Sequence, residues 1–468
     1  MAPPSVTIIE ETRVAAAAAA DGGTTREPSV LFKLSALDAQ WITLPLIQRV
    51  LVFDAGAGDI PPFDAVVASL RASLSATLAR LIPLAGRIVH LPDSGDAAID
   101  CSQNGGGVRF VVAECDGVDA TRLAGDADHD VEAFERLAPV LEAEVLPAET
   151  MAVQVTRLAG AGGEERGGGV AIGVAMHHAV VDGRSVWRFI EAWAAACRGD
   201  EAWREEAAAA TFDRAAVAIP GGEELARGVL RNYAPNLPVA TVPEFLVKGR
   251  LKLSRRTFTV APPQIHRLKH RIISAAAGVN PSTFVTLASL AWVSFVKTKH
   301  AAGEIADDDD VHLFFFIDIR GRAAAVDPPV SDSFFGTCIS GCLAAAAARD
   351  LVADCGDAGL AAAAAAVQGE VRRAAEDPLA RWEWMSLVGR VPLDRLVNMS
   401  GSTRFPAYEA ADFGWGSPAR TELVTMNHDG QVVLVAAAAG GGGGVQASVA
   451  MKPAQMEAFT SEFESYLG

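Results

Sequence analysis

The chain has 468 residues, half of them hydrophobic, and a formal net charge of −17 at pH 7. This length suffices for two sizeable cores, and the composition indicates a globular protein. The acidic charge argues against nucleic acid or an anionic membrane as the main partner. The six cysteines are scattered and lack the second close pair of a zinc site, so we expect free thiols in a reducing compartment and no bound metal. No signal peptide and no apolar run of roughly 18 residues is apparent, so we predict a cytoplasmic protein without a membrane segment.

The predicted elements alternate irregularly between helix and strand along the chain. Spacings of three and four between apolar residues predict helices over residues 63–81, from about residue 185, and over 263–273, 282–298 and 360–375. Alternating patterns predict two hairpin-like strand pairs, 151–158 with 170–176 and 432–435 with 445–450, each joined by a glycine-rich stretch. This order favours a mixed α/β architecture.

A change in composition divides the chain into two halves of similar length. Residues 199–244 are polar, then alanine-rich, then punctuated by prolines, which is typical of a linker. We therefore predict an N-terminal lobe over residues 1–205, a crossover over 206–245 and a C-terminal lobe over 246–468. Residues 248–303 contain ten Lys or Arg and no Asp or Glu. Such a stretch predicts either an anionic ligand or a charged face folded beside acidic loops.

A histidine pair follows the predicted strand 170–176. Residues 177–183 read His-His-Ala-Val-Val-Asp-Gly, so His178 and Asp182 are four positions apart, beside a turn and before a helix. Imidazole is a natural general base near neutral pH, and a carboxylate either orients it directly or holds its loop by pairing with an arginine. The spacing alone leaves open a second interpretation, in which His178 is a satisfied buried histidine and Asp182 caps the helix.

Wider patterns connect this motif to a known family. Residues 178–183, together with Asp-Phe-Gly-Trp-Gly at 412–416, resemble the signature pair of the plant BAHD acyltransferases, in the same order along the chain. Residues 34–38, 81–87 and 316–322 resemble three further segments of that family. The resemblance therefore extends along nearly the whole chain.

The resemblance implies a monomer of two similar α/β lobes of mixed sheet with flanking helices, like chloramphenicol acetyltransferase. An active-site channel would lie at the lobe interface, with an acyl-CoA donor and a hydroxylated acceptor entering from opposite sides. His178 would deprotonate the acceptor hydroxyl, which attacks the thioester directly, while Asp182 would pair with an arginine and hold the loop. His177 would face away, since strand alternation sends it to the opposite side.

The resemblance also implies a structural role for the second motif, residues 412–416. Its Asp412, Gly414, Trp415 and Gly416 would form a tight turn away from the chemistry, and Arg320 is our predicted partner for the carboxylate of Asp412. The basic stretch would bind coenzyme A, because phosphates favour Lys and Arg donors. Lys252, Ser254 and Arg255 resemble the segment that contacts the nucleotide in the family.

Two segments bear on the substrates. Residues 333–338 partly resemble a segment of the clade that acylates anthocyanin, flavonoid or phenolic glucosides, often from malonyl-CoA, although Phe334 and Thr337 depart from its Tyr and Asn. Ser402 occupies the position of a Trp in hydroxycinnamoyl transferases, which also favours the glucoside clade. A malonyl carboxylate would need a cation, for which Arg184 and Arg404 are candidates. We predict substrate contacts at Arg184, Ser400, Ser402 and Arg404, with acyl-CoA as co-substrate and no permanently bound cofactor.

Three other functions fit parts of the pattern. The first is transfer of a hydroxycinnamoyl or acetyl group to another plant alcohol or amine. The second is a peptide-synthetase condensation domain, which shares the histidine motif but requires carrier-domain neighbours. The third is a catalytically silent relative that binds a metabolite.

Overall fold

The structure is a computed structural model that describes residues 5–17, 31–56, 59–102, 106–160, 168–217, 219–247, 249–322, 324–353, 357–438 and 442–468. The strands of these residues are β1 (Ser5–Val14), β2 (Leu31–Lys33), β3 (Ile47–Asp54), β4 (Arg87–Leu91), β5 (Asp96–Asp100), β6 (Val108–Asp116), β7 (Ala148–Glu149), β8 (Met151–Leu158), β9 (Gly169–Met176), β10 (Ser254–Val260), β11 (Asp310–Asp318), β12 (Ile339–Ala347), β13 (Leu396–Gly401), β14 (Arg420–Leu423), β15 (Gln431–Ala436) and β16 (Val445–Met451). The helices are α1 (Ala36–Ala39), α2 (Phe63–Leu78), α3 (Ala120–Ala124), α4 (Val131–Leu137), α5 (Gly183–Arg198), α6 (Trp203–Ala208), α7 (Gly222–Tyr233), α8 (Pro262–Ala275), α9 (Thr283–Ala301), α10 (Ala348–Val352), α11 (Ala358–Glu376), α12 (Trp384–Val388) and α13 (Pro453–Ser465).

All five helices predicted from apolar spacing are present, as α2, α5, α8, α9 and α11, with bounds within a few residues of the prediction. Their capping explains several of these bounds. The side chain of Asp182 caps α5, and that of Ser282 caps α9, each by accepting a hydrogen bond from a backbone N–H of the first turn. Gly199 ends α5 in the left-handed conformation, at a φ of 74°.

The first sheet has the strand order β1-β6-β8-β9-β3-β14. Strands β8 and β9 are antiparallel, with Met151 opposite Met176, as the sequence pattern predicted. The glycine-rich connection that we predicted between them lies mostly outside the described residues, at 161–167. Strand β3 lies on the other side of β9 and begins, at Ile47, opposite Met176. The end of β9, where the histidine pair begins, is therefore held from both sides.

The second sheet has the order β10-β16-β15-β13-β11-β12, and a small third sheet has the order β2-β5-β4-β7. Strands β15 and β16 are antiparallel, again as predicted, and residues 439–441 of their polyglycine connection lie outside the described residues. Strand β13 runs parallel to both β11 and β15. Helix α9 is buried along most of its length between this sheet and α11 and α13, which explains why its apolar residues are not confined to one face.

One strand crosses from the C-terminal part of the chain into the first sheet. Strand β14 pairs with β3, so that Leu423 lies opposite Arg49. Its buried Glu422 binds His129 at 3.1 Å, Arg255 at 3.5 Å and Arg420 at 3.7 Å. The C-terminal part therefore contributes to both sheets, whereas the predicted division placed residues 246–468 in one lobe. The proposed crossover, residues 206–245, also includes α7, which packs on α1 and β5.

The two main hydrophobic clusters belong to the two large sheets. One joins the first sheet to α2 and α5 and continues to the junction between the lobes, and the other surrounds α9. This arrangement confirms the predicted fold class of two mixed sheets with flanking helices. Five cysteines lie within the described residues and are free, while Cys355 lies outside them. Within the same residues, none of the helices is long and apolar enough to cross a membrane.

Candidate active site

The histidine pair lies in the short loop between β9 and α5. The side chain of His177 is buried, and its Nδ1 accepts a hydrogen bond from the backbone N–H of Ala179 at 3.2 Å. His178 instead lines a cavity of about 1240 Å³. Residues of both large sheets line this cavity, so it lies at the junction of the lobes. The strand end thus directs only one of the two imidazoles to a space large enough for substrates.

His178 is held against an aromatic ring. The indole of Trp41 stacks on the imidazole with ring centroids 3.5 Å apart and planes 7° apart. Burial lowers the pKa of His178 to about 4, although the charge of Asp182 acts in the opposite direction. The imidazole is therefore neutral at physiological pH and has a lone pair with which to accept a proton. Its Nδ1 is buried without a hydrogen-bond partner among the described residues.

Asp182 faces away from the histidine and towards the other lobe. Its Oδ1 accepts a hydrogen bond from Ser185 N–H at 2.9 Å, which caps α5. Its Oδ2 accepts from Arg320 Nη2 at 2.8 Å and from Cys338 N–H at 3.0 Å. Burial acts to raise the pKa of this carboxyl, but the charge of Arg320 and these donors hold it below its usual range. The prediction that Asp182 pairs with an arginine is confirmed.

The predicted pairing of Arg320 with Asp412 is wrong. Arg320 is buried and binds Asp182 together with Asp318 at 2.9 Å. The carboxylate of Asp412 instead accepts from the backbone N–H groups of Gly414 at 2.8 Å and Gly416 at 3.0 Å. The error has a physical cause: backbone donors two and four residues away satisfy Asp412, so it needs no distant cation.

The second motif forms a turn outside the cavity. Gly414 and Gly416 have φ values of 107° and 98°, which favour glycine. Trp415 packs its ring against Phe53, with centroids 5.9 Å apart, and against Phe413. None of the residues 412–416 lines the cavity. A structural role for the motif is the interpretation that this geometry favours.

The predicted coenzyme A contacts are not brought together at the cavity. Arg255 is fully buried, and its Nη2 donates to the backbone carbonyls of Val424 at 2.7 Å and Met426 at 2.9 Å. We therefore correct its assignment: Arg255 secures β14 and cannot present its guanidinium to a nucleotide. Lys252 is exposed and Ser254 is half-buried, and neither lines the cavity. Their contact with coenzyme A stays a prediction, and Lys248 lies outside the described residues.

The four predicted substrate contacts all line the cavity with His178. Arg184 binds Asp318 at 3.0 Å and Asp332 at 3.2 Å, so its charge is already paired. The hydroxyl of Ser400 is buried without a partner in the described part of the chain, and that of Ser402 accepts a hydrogen bond from the backbone N–H of Arg404 at 3.2 Å. Arg404 itself is exposed. Their roles in binding stay predictions.

An aromatic cluster beside His178 was not predicted from the sequence. Trp384 lies 4.7 Å from Trp41 and 5.2 Å from Phe316, and Phe314 lies 4.8 Å from Phe316, measured between ring centroids. All four rings line the cavity, and the Nε1 of Trp384 is buried without a partner among the described residues. These residues come from three separate segments, so no local pattern could have grouped them.

Arg49 was also missed, because it lies inside an otherwise apolar strand and belongs to no motif. It too lines the cavity. No cluster of His, Cys, Asp and Glu side chains suited to a metal ion occurs among the described residues.

The two lobes, the cavity between them and the neutral histidine on its wall define an enzyme of the acyltransferase class. A family model described as the Transferase family matches residues 4–466, so the chain belongs to this family. The resemblance to the plant BAHD acyltransferases is thereby confirmed.

Individual relatives are similar over nearly their whole lengths. Phenolic glucoside malonyltransferase 2 of Arabidopsis thaliana is 27% identical, with 93% of each chain covered. The malonyl-CoA:anthocyanidin 5-O-glucoside-6''-O-malonyltransferase of the same plant is 29% identical, with 93% of this chain and 94% of the relative covered. The coumaroyl-CoA:anthocyanidin 3-O-glucoside-6''-O-coumaroyltransferase 1 of Arabidopsis thaliana is 25% identical, with 93% of each chain covered. The crystal structure of vinorine synthase matches with a TM-score of 0.68 at 20% identity and covers 99% of this chain and 98% of its own, which shows the shared fold.

Proposed function

We propose that this enzyme transfers an acyl group, foremost malonyl, from coenzyme A to a hydroxyl of a flavonoid, anthocyanin or other phenolic glucoside. The observation that carries the proposal is the neutral His178 on the wall of the cavity between the lobes. His178 takes the proton of the acceptor hydroxyl as the oxygen attacks the thioester carbonyl. The tetrahedral intermediate then collapses and expels the thiolate of coenzyme A, which takes up a proton, so that no acyl-enzyme forms.

Asp182 supports this chemistry without touching the substrate. Its bonds to Ser185, Arg320 and Cys338 fix the start of α5 and thereby the loop that carries His178. Because the loop is tied to Arg320 of the other lobe, the position of the base depends on how the lobes are joined. Asp182 is therefore a positioning residue.

The charge of the cavity favours an anionic co-substrate. Among the described residues that line it, six are arginines and three are carboxylates, although the whole chain carries −17. Such a local excess of positive charge attracts anions such as the phosphates of acyl-CoA and the free carboxylate of a malonyl group. The lining residues that carry charge are Arg49, Asp182, Arg184, Arg188, Glu191, Asp318, Arg320, Arg322 and Arg404.

The relatives support malonyl as the acyl group and a glucoside as the acceptor. Two of those described above are malonyltransferases of phenolic or anthocyanidin glucosides. The small Ser402 in place of an aromatic residue fits the same assignment. Four further predictions are part of this proposal. They are the division of the chain into two lobes and a crossover, the contacts of Lys252 and Ser254 with coenzyme A, the monomeric state and the cytoplasmic location.

A second candidate is transfer of a coumaroyl group. The observation that favours it is the cluster of Trp41, Trp384, Phe314 and Phe316 beside His178, because aromatic rings pack well against a planar aromatic acyl group. A coumaroyltransferase is among the relatives. The same cluster also suits the aromatic aglycone of the acceptor, so it does not exclude a malonyl donor.

A donor and acceptor screen tests the proposal. Purified enzyme is assayed for release of coenzyme A thiol with malonyl-, acetyl- and coumaroyl-CoA against flavonoid and phenolic glucosides. We expect the highest kcat/KM with malonyl-CoA, and a loss of about 10²- to 10⁴-fold in kcat for His178→Ala. His90→Ala, a histidine of β4 outside the cavity, is the matched control and should retain full activity. Full activity of His178→Ala would refute the mechanism, and tight acceptor binding without thiol release from any donor would identify a silent relative.

A further inference from the structure

Arg49 is a buried cation on the wall of the cavity. It lies in β3 with only 6% of its surface exposed, and the cavity that it lines is the one that contains His178. Its guanidinium lies over the ring of Trp187, 4.6 Å from the centroid. Its Nη1 donates to the hydroxyl of Thr421 at 3.1 Å, and its Nε is buried without a partner among the described residues. The fold therefore holds this guanidinium in place while leaving part of its hydrogen-bonding capacity unused.

The charge of Arg49 is not balanced by an ion pair. Within the described part of the chain, no carboxylate lies within ion-pair distance of its guanidinium. Glu422 attracts it from a greater distance, but that carboxylate is already bound to His129, Arg255 and Arg420. Burial lowers the pKa of Arg49 to about 10, which leaves the side chain charged at neutral pH. A buried, unpaired charge is costly, so its presence calls for a ligand that supplies the missing counter-charge.

Four of the other five arginines of the cavity bind protein oxygens, and the fifth, Arg404, is exposed. Arg184 and Arg320 are paired with carboxylates. Arg322 donates its Nε to the backbone carbonyl of Asp318 at 2.7 Å, and Arg188 donates to the carbonyl of Ser333 at 3.1 Å. Only Arg49 combines deep burial with an unpaired charge among the described residues of the cavity wall.

We propose that Arg49, held flat by Trp187, binds a carboxylate carried by one of the two substrates. This inference rests on the proposed function and names a binding residue that differs from Arg184 and Arg404. A planar guanidinium matches a carboxylate with two parallel N–H···O bonds, and stacking on an indole fixes its plane before the substrate arrives. The carboxylate belongs either to a malonyl donor or to an acidic acceptor, and kinetics distinguish these sources.

The test compares charged and neutral versions of each substrate. Malonyl-CoA is compared with propionyl-CoA, in which a methyl group replaces the carboxylate, using a neutral phenolic glucoside as acceptor. A glucoside that bears a carboxyl group on its aromatic ring is compared with the same neutral glucoside, using propionyl-CoA as donor. Arg49→Met removes the charge at similar volume, and Arg49→Lys keeps the charge but not the planar fork. We expect Arg49→Met to lower kcat/KM for one of the carboxylate-bearing substrates about 10- to 100-fold more than for its neutral counterpart.

Each outcome decides the proposal. A loss specific to malonyl-CoA supports the donor as the source, a loss specific to the acidic glucoside supports the acceptor, and Arg49→Lys should lie between wild type and Arg49→Met. An equal loss with all substrates, or a wild type that accepts neither carboxylate, overturns the proposal. If Arg49→Met does not fold, Arg49→Lys and Arg49→Gln carry the same comparison.

A binding assay separates this inference from the proposed function. Thermal stabilisation of the wild type and of Arg49→Met is measured with malonyl-CoA and with propionyl-CoA, and with each of the two glucosides. Selective loss of stabilisation by a carboxylate-bearing compound supports the site even if acyl transfer fails. Unchanged stabilisation by every carboxylate-bearing compound refutes the site even if transfer succeeds.

Discussion

Replacing Asp182 by Asn tests how the two lobes position the base. The substitution keeps an oxygen at Oδ1, where Ser185 N–H donates and α5 is capped. It then places an NH₂ group where Oδ2 now accepts from Arg320 and from Cys338 N–H. The variant thereby leaves a buried guanidinium without its closest counter-charge, while the helix cap is preserved.

The loss of stability expected for Asp182→Asn depends on the partners that Arg320 retains. Breaking a buried ion pair by removing one partner costs about 3–5 kcal/mol of stability. Arg320 keeps Asp318 at 2.9 Å and the backbone carbonyls of Phe334 at 2.9 Å and Gly336 at 2.7 Å. We therefore expect the lower end of this range, about 3 kcal/mol. We also expect kcat to fall about 10- to 100-fold with little change in KM, because the loop that carries His178 is displaced and a 1 Å misplacement costs about 10²-fold.

Urea unfolding and steady-state kinetics measure these effects on Asp182→Asn, Arg320→Leu and the double variant. If the pair acts as described, the double variant loses less free energy of unfolding than the two single losses summed, with a coupling of about 1–3 kcal/mol. Additive losses would show that Asp182 and Arg320 stabilise the protein independently. An Asp182→Asn variant with unchanged stability and activity would refute the positioning role.

Two further predictions concern the imidazoles and the aromatic cluster. Burial lowers the pKa of His177 to about 3, from about 6.5 when unfolded, so the unfolded state binds the proton first and stability falls as the pH drops below about 6.5. At pH 5 this proton uptake by the unfolded state costs the wild type about 2 kcal/mol of stability. In urea unfolding, the free energy of unfolding of His177→Asn should therefore fall between pH 7 and pH 5 by about 2 kcal/mol less than that of the wild type. An equal fall in the two proteins would contradict the low pKa of His177. Trp41→Leu removes the ring stacked on His178, which should raise the pKa of the imidazole towards 6.5 and move the acid limb of the kcat/KM profile to higher pH. Trp41→Phe should retain the profile of the wild type, and an acid limb that does not move in Trp41→Leu would exclude the stack as a cause of the low pKa.

Much of the fold was predictable because its signals are local. The three-and-four spacing gave α2, α5, α8, α9 and α11, since a helix that buries one face must repeat its apolar residues with the helical period. Alternation gave the pairs β8–β9 and β15–β16 for the corresponding reason in strands. Crossing strand β14 was not predicted, because four residues carry too little pattern to indicate which sheet they join.

At the site, the sequence indicated through its resemblance to the family that His178 is the candidate base and that Asp182 pairs with an arginine. Only the tertiary structure decided which cation, because Arg320 lies 138 residues further along the chain and its partner depends on how the lobes meet. Tertiary packing likewise decides the different roles of Arg255 and Arg49. Basic composition marked Arg255, which proved to hold backbone carbonyls, whereas Arg49 lies in an apolar strand and becomes a cavity cation only when β3, β14 and α5 come together. Residue type sets what a side chain can do chemically, but the packing of distant segments decides whether its partner is protein or substrate.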